Sequence, residues 1–344
     1  RYGMVKNAAT IYDVAKKARV SPATVSRVLN EPSKVNADKR DAVLDAIAAL
    51  RFIPKAAAVA NARRFYKKIS VIAPFFTQPS FMQRLRGISK VLSGRYYEIV
   101  VHSIESRKDM SEYIDMLCGS RIADGLIVLC LEPTDAMLAK LRASDIPVCF
   151  VEARREGFDS VSIDNEDGGR LAAEFLFNKG YRVPAFIGEL SDKSYAVHAT
   201  EERLHGFSDW FGNRGIDIPH HRIRLGEIAD QKIDEEISAL FSQNDLPDCI
   251  FASSDVIAAR VIKLTKIRGI RVPEDIAVIG FDDIDFTEYL NLTTVSQELD
   301  ESGKCAAELI LDRQRDPLRA ARSVHIQLRI IERATTGTKT GNTI

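Results

Sequence analysis

Between Thr10 and Leu50, apolar residues recur at helical spacing in three short bursts. Ile11, Val14, Ala15 and Ala18 fall on one face of a first helix, as a repeat near 3.6 residues requires. Val25, Val28 and Leu29 form the stripe of a second, and Val43, Leu44, Ile47 and Leu50 that of a third from about Ala37. The starts are marked too. Thr10-Ile11-Tyr12-Asp13 has the form of a capping box, with Arg19-Val20 ending the helix it opens. Ser21-Pro22 opens the next, serine as the cap and proline in the first turn, where no N–H is needed. Two short helices with a tight connection and a third packed across them predict a small all-α helix-turn-helix domain.

From Ile69 the pattern changes. Continuous apolar runs, ISVIAPFF (69–76), YEIVVHS (97–103), GLIVLCL (125–131), PVCFVE (147–152), PAFIG (184–188), CIFAS (249–253) and IAVIGF (276–281), alternate with helical stretches such as 80–93, 107–118, 166–179, 201–214 and 256–268. Apolar strands separated by helices indicate parallel sheets covered on both faces. The length suits two doubly wound α/β lobes. Ligands of such sheets bind beyond the carboxyl ends of the strands. The residues there are Gln78-Pro79-Ser80-Phe81, Glu152, Ser254-Asp255 and Asp282-Asp283. Carboxylates that accept from hydroxyl pairs, beside an aromatic face, suit a neutral polyol or sugar. The other reading of these acids is helix capping at strand–helix junctions. No phosphate-binding glycine loop of either common kind occurs. Asp282-Asp283-Ile284-Asp285 lacks a complete metal-coordination pattern, and neither a metal nor a cofactor is expected.

Charge separates the two parts. Residues 1–68 hold 15 Lys/Arg against 5 Asp/Glu, and the remaining 276 hold 33 against 43. A basic head on an acidic body points to a polyanionic partner for the head. The second helix turns Thr24, Ser26, Arg27 and Asn30 away from its apolar stripe, and such groups serve phosphates and base edges. The pattern alone also admits a three-helix protein-interaction module. The alanine-rich KAAAVANARRFYKK after Pro54 is too short for a stable isolated helix, so it is expected to fold on contact with DNA.

The remaining composition mostly excludes. The 344 residues suggest two or three domains. No apolar run reaches the roughly 20 residues that span a bilayer, and Arg1–Thr10 lacks the apolar centre of a secretory signal, so a cytoplasmic protein is expected. Five cysteines without a Cys-x-x-Cys pair read as free thiols. His220 and His221 fall in a loop. No nucleophile elbow, Cys/His pair or metal motif supports an enzyme, and a solute-binding protein would not carry the basic head.

The run TIYDVAKKARVSPATVSRVLNEPSKVNADKRDAVLDAIAALRFIP (10–54) resembles the DNA-binding head of the lactose-repressor/galactose-repressor (LacI/GalR) family. The resemblance implies that the helix opening at Ser21 enters the major groove, that Tyr12 contacts the operator, and that Pro22 and Ala23 stand where operator choice is set. The family's hinge helix lies in the minor groove and carries a leucine at the position of Asn61, a departure that removes the apolar wedge. The body resembles the family's periplasmic-binding-protein-like effector domain in ADGLIV (123–128), IDNEDGGRLAAEFL (163–176), RLHGF (203–207), PDCIFASSD (247–255), GIRVPEDIAVIGFDDID (269–285), LTTVSQ (292–297) and IERATTG (331–337). This implies two lobes joined by three crossings and effector contacts at Phe81, Glu152, Arg203, Ser254, Asp255, Asp282 and Gln297. Glu152 stands where aspartate is more usual. The expected organisation is a DNA-binding domain at 8–53, a hinge helix and linker at 54–68, an effector-binding and dimerisation domain at 69–334, and a flexible tail at 335–344. A tail without apolar heptads favours a homodimer reading a pseudo-palindromic operator. The function implied is a transcription regulator, a repressor controlled by a small-molecule sugar or sugar derivative.

Overall fold

The computed structural model describes residues 9–50, 52, 66–74, 77–120, 122–189, 194–227 and 232–339. The head contains α1 (Ile11–Ala18), α2 (Pro22–Asn30) and α3 (Ala37–Leu50). Val14, Ala15, Val25, Val28, Leu29, Val43 and Ala46 form its core. Ala46 takes the inward place that the apolar pattern gave to Leu44, which is only half-buried. The Asp13 carboxylate reaches back to the Thr10 backbone N–H at 2.8 Å and its hydroxyl at 2.7 Å, closing the start of α1. Arg19 ends that helix in the left-handed region at φ 56°. Ser21 Oγ accepts from the Thr24 N–H at 3.1 Å, so the expected cap of α2 is formed.

The body divides into two α/β lobes. The first begins with β1 (Lys68–Ala73), α4 (Pro79–Leu92), β2 (Glu98–Ser103), α5 (Arg107–Ser120), β3 (Gly125–Leu129), α6 (Asp135–Ala143), β4 (Val148–Val151) and β5 (Asp159–Ser162). The second holds α7 (Asn165–Asn178), β6 (Pro184–Glu189), α8 (Ala199–Gly212), β7 (Ile223–Gly226), α9 (Lys232–Phe241), β8 (Cys249–Ala252), α10 (Asp255–Ile267), β9 (Ala277–Asp282), the short α11 (Thr287–Leu290) and β10 (Thr293–Ser296). The chain then returns to the first lobe as α12 (Leu299–Arg315) and β11 (Ser323–His325), and ends in the second as β12 (Arg329–Ile331).

The sheet orders are β11-β5-β4-β3-β1-β2 and β12-β10-β9-β8-β6-β7. All neighbours are parallel except β10 and β12. Each sheet is covered on both faces, as continuous apolar strands demand. In the first lobe, Ile88, Val91 and Leu92 of α4 and Ala306, Ala307 and Ile310 of α12 cover one face. Met110, Ile114, Leu138 and Leu141 of α5 and α6 cover the other. In the second lobe α7 and α8 oppose α9 and α10. The three crossings follow β5, β10 and β11, at 163–164, 297–298 and 326–328.

Residues 335–339 depart from the expected flexible tail. Thr335 Oγ1 accepts from Thr293 N at 2.8 Å and donates to Val278 O at 2.7 Å, and the Lys339 amide donates to Lys179 O at 2.8 Å. The Thr335 hydroxyl thus satisfies backbone groups of β9 and β10 in the second lobe, so this segment is held in place.

Candidate functional site

The carboxyl ends of the two sheets face each other across a cleft, where a cavity of about 160 Å³ lies. The first lobe contributes Phe81 and Arg84 from α4, Cys130 after β3 and Glu152 after β4. The second contributes Arg203 from α8, Ser253 and Ser254 after β8, and Asp282 at the end of β9, with Gln297 on the second crossing. Six of the seven expected effector positions therefore meet around one space.

Asp255 is the departure. It is fully buried and does not line the cavity. Its carboxylate accepts from Thr294 Oγ1 at 2.6 Å and from the Ile284 N–H at 3.0 Å, tying the start of α10 to β10 and the end of β9. Burial, with the nearby Asp282 charge, pushes its carboxyl well above the usual range. Ser254 combines both readings of this junction: it lines the cavity and caps α10, accepting from Ile257 N at 3.4 Å.

A continuous polar relay crosses the cavity wall. Glu152 pairs with Arg84, whose Nη2 donates to Gln297 Oε1 at 2.8 Å. Gln297 Nε2 donates in turn to Asp282 Oδ1 at 2.5 Å. Asp282 faces Arg203 Nη1 at 3.9 Å. Arg203 donates through Nε to Asn165 Oδ1 at 2.9 Å and through Nη1 to Ser253 O at 2.6 Å, and its guanidinium lies 3.6 Å from the Phe281 ring centroid. The relay thus runs from the first lobe, through the crossing residue Gln297, to Asn165 beside the first crossing. Burial draws the Arg203 guanidinium down to about 10, against the opposing pull of Asp282. Burial raises the Asp282 carboxyl, which Arg203 and Arg84 oppose. Glu152 and Asp282 are held in the left-handed half of backbone space at φ 62° and 122°, unusual for residues with a Cβ.

Arg84 was absent from the sequence-derived site, yet it holds the central link. Its signal is an internal repeat. Arg84-Leu85-Arg86-Gly87 on α4 matches Arg203-Leu204-His205-Gly206 on α8. Their partner helices match as well, in Gly303-Lys304-Cys305-Ala306-Ala307-Glu308 and Gly169-Arg170-Leu171-Ala172-Ala173-Glu174. The glycines are where the paired helices touch. A Cβ on Gly303 would overlap the Arg84 carbonyl oxygen, and one on Gly169 the Arg203 carbonyl oxygen. Each cavity arginine is thus set by backbone packed directly on backbone.

In the head, Tyr12 is 70% exposed. Ser21, Pro22, Ala23 and Arg27 are exposed, and Thr24 and Ser26 half-buried. The Asn30 side chain and Asn61 lie outside the described residues. No helix among the described residues is long and apolar enough to cross a membrane.

A helix-turn-helix head joined to a two-lobed domain with a cavity between its lobes defines a DNA-binding regulator with a ligand-binding domain. Residues 10–55 match the model of bacterial regulatory proteins of the lacI family, and residues 173–336 that of the periplasmic binding protein-like domain. The transcriptional repressor PurR of Photobacterium profundum is 30% identical over 314 residues, 90% of this chain and 92% of that protein. The lac repressor dimer bound to operator and the anti-inducer ONPF superposes with a TM-score of 0.75 at 25% identity, covering 96% of this chain and 100% of the repressor chain. The complex of the regulator CelR with cellobiose gives 0.67 at 26% identity, over 95% and 99%. The chain belongs to the LacI family of DNA-binding transcriptional regulators.

Proposed function

We propose that this regulator is a homodimeric repressor whose affinity for a pseudo-palindromic operator is set by a sugar or sugar derivative bound between the two lobes. The observation that carries the reading is the relay from Glu152 to Arg203. It sets two carboxylates, two guanidiniums and the Gln297 amide around one small cavity, which suits a ligand whose hydroxyls both donate and accept. Among the described lining residues, Phe81 offers an aromatic face to the C–H side of a ring. Arg203, Asp282, Glu152, Ser254, Gln297 and Phe81 are the assigned contacts, with Arg84 added and Asp255 reassigned to support.

On the DNA side, Tyr12, Ser21, Pro22, Ala23, Thr24, Ser26, Arg27 and Asn30 carry operator recognition, with Asn61 in the minor groove. A ligand that favours one relative angle of the lobes changes operator affinity through linkage. Fluorescence anisotropy on a labelled operator, with and without a panel of pentoses, hexoses and sugar acids, tests this. A sugar-dependent change in affinity supports it; specific operator binding indifferent to every sugar would overturn the effector assignment.

A further inference from the structure

Residues 194–198, just before α8, belong to the second lobe by sequence but are seated in the first. Tyr195 and Ala196 are buried in the first lobe's core, beside residues of α5 and α6. Backbone bonds fix the seat: Glu132 N donates to Tyr195 O at 2.8 Å and Val197 N to Cys130 O at 3.1 Å, around an antiparallel bridge between Leu131 and Ala196. Tyr195 Oη donates to Glu105 O at 2.8 Å. Arg107 donates to Ser194 O through Nη2 at 2.5 Å and to Glu132 O through Nη1 at 3.2 Å. From this seat, Ala196 to Glu201 run along the cavity and form one of its walls. The segment is a strap across the cleft.

We infer that this strap restricts the effector to a single-ring polyol, excluding ligands of two linked rings. The inference rests on the sugar reading above and deepens it. An apolar cavity of roughly 150 Å³ holds one six-membered ring, and the space here is about 160 Å³. On the side of Ala196 to Glu201, a second ring would need the volume that the strap occupies. Nor can the strap swing aside freely, because moving it unpairs its backbone groups and exposes Tyr195. The similar CelR holds the two-ring cellobiose; this chain is assigned to the smaller class.

The test is thermal-shift and calorimetric binding, with stopped-flow release of bound sugar, for D-ribose, D-glucose, D-galactose, D-glucuronate and D-gluconate against cellobiose, maltose and lactose. It uses the full chain and its Tyr195→Ala and Arg107→Ala variants. Arg107→Ala loosens the strap without opening the core, so it serves where Tyr195→Ala fails to fold. The wild type is expected to respond to a cyclic single-ring compound and to no two-ring sugar. The variants should release that compound roughly tenfold faster, the equivalent of one or two lost hydrogen bonds, and gain a two-ring response. A two-ring sugar that stabilises the wild type as well as any single ring overturns the strap's role and leaves the sugar reading standing. Variants with wild-type selectivity and release overturn it equally. No response to any of these sugars removes both readings.

Discussion

Arg84 and Arg203 occupy equivalent places in the two lobes: each lies three residues before a glycine, and the carbonyl of each rests on a glycine of the neighbouring helix. Gln297 and Asp282 connect them across the cleft. Removing either guanidinium should therefore have the same phenotype. Arg203→Ala and Arg84→Ala are expected to bind operator normally and to lose the effector response, measured as operator anisotropy against sugar concentration. A normal response in Arg203→Ala would refute the cavity assignment, and one in Arg84→Ala would refute the equivalence.

The glycine contacts make a separate prediction about stability. Gly206→Ala places a Cβ against the Glu166 carbonyl oxygen and forces α7 and α8 apart. Overpacking of this kind costs about 1–3 kcal/mol, seen as a lower Tm, and it shifts Arg203 in the cavity. Gly94→Ala, which meets nothing within 4 Å, is the control and should be near neutral. Equal melting of the two variants would contradict the close approach.

Arg27 is exposed on α2, two turns from the Ser21 cap. Arg27→Ala should weaken specific operator binding by about 1–3 kcal/mol, the range of a good arginine–base contact. Gel-shift titration of operator and random duplexes reads the difference. Unchanged specific affinity would sink the assignment of α2 as the reading helix.

The excess of Lys and Arg in residues 1–68 predicts a steep salt dependence. Each phosphate contact contributes a slope of about −0.9 in log affinity against log salt. A slope near zero would contradict a head that binds through its charge.

Asp159 supplies a pH test. It accepts from Arg313 at 3.0 Å and from both terminal nitrogens of Arg319 at 2.8 Å. Burial raises its carboxyl, but the hydrogen bonds from Arg319 and Arg313 outweigh burial and hold it below the ordinary value. A depressed folded pKa gives stability that is present above the unfolded value of about 3.9 and lost as pH falls through the folded one. Asp159→Asn should thus lower the Tm at neutral pH, by the equivalent of about 3–5 kcal/mol for a broken buried pair. The gap to wild type should narrow as pH drops below the ordinary aspartate range. A gap independent of pH would place the effect elsewhere.

Periodicity and strand ends made most of this architecture legible, because parallel strands such as β3 and β9 are buried on both faces and read as unbroken apolar runs. β5 (DSVS) and β10 (TTVS) escaped that signal. They are buried too, but Ser160, Thr293 and Thr294 bond their hydroxyls to Ser323, Thr336 and Asp255 instead of to water. The site was legible where a residue follows an apolar strand, as with Glu152 and Asp282. Arg84 was not, because it stands inside an amphipathic helix, where an arginine ordinarily faces solvent; only its repetition in the second lobe marks it. Asp255 showed the reverse limit. Its position matched, but its carboxylate is turned to neighbouring strands, which spacing cannot report.

The return of α12 and β11 to the first lobe has a consequence during synthesis. Ile310 belongs to that lobe's core and β11 pairs with β5, yet the ribosome reaches Leu299 only about 140 residues after Ser162, a wait on the order of 10 s at bacterial elongation rates. Through that interval the apolar face awaiting α12 lies bare while the second lobe emerges and folds. The lobe begun first therefore stays open until the second is nearly whole, and a chain released before α12 is translated would leave that face open to chaperones and proteases.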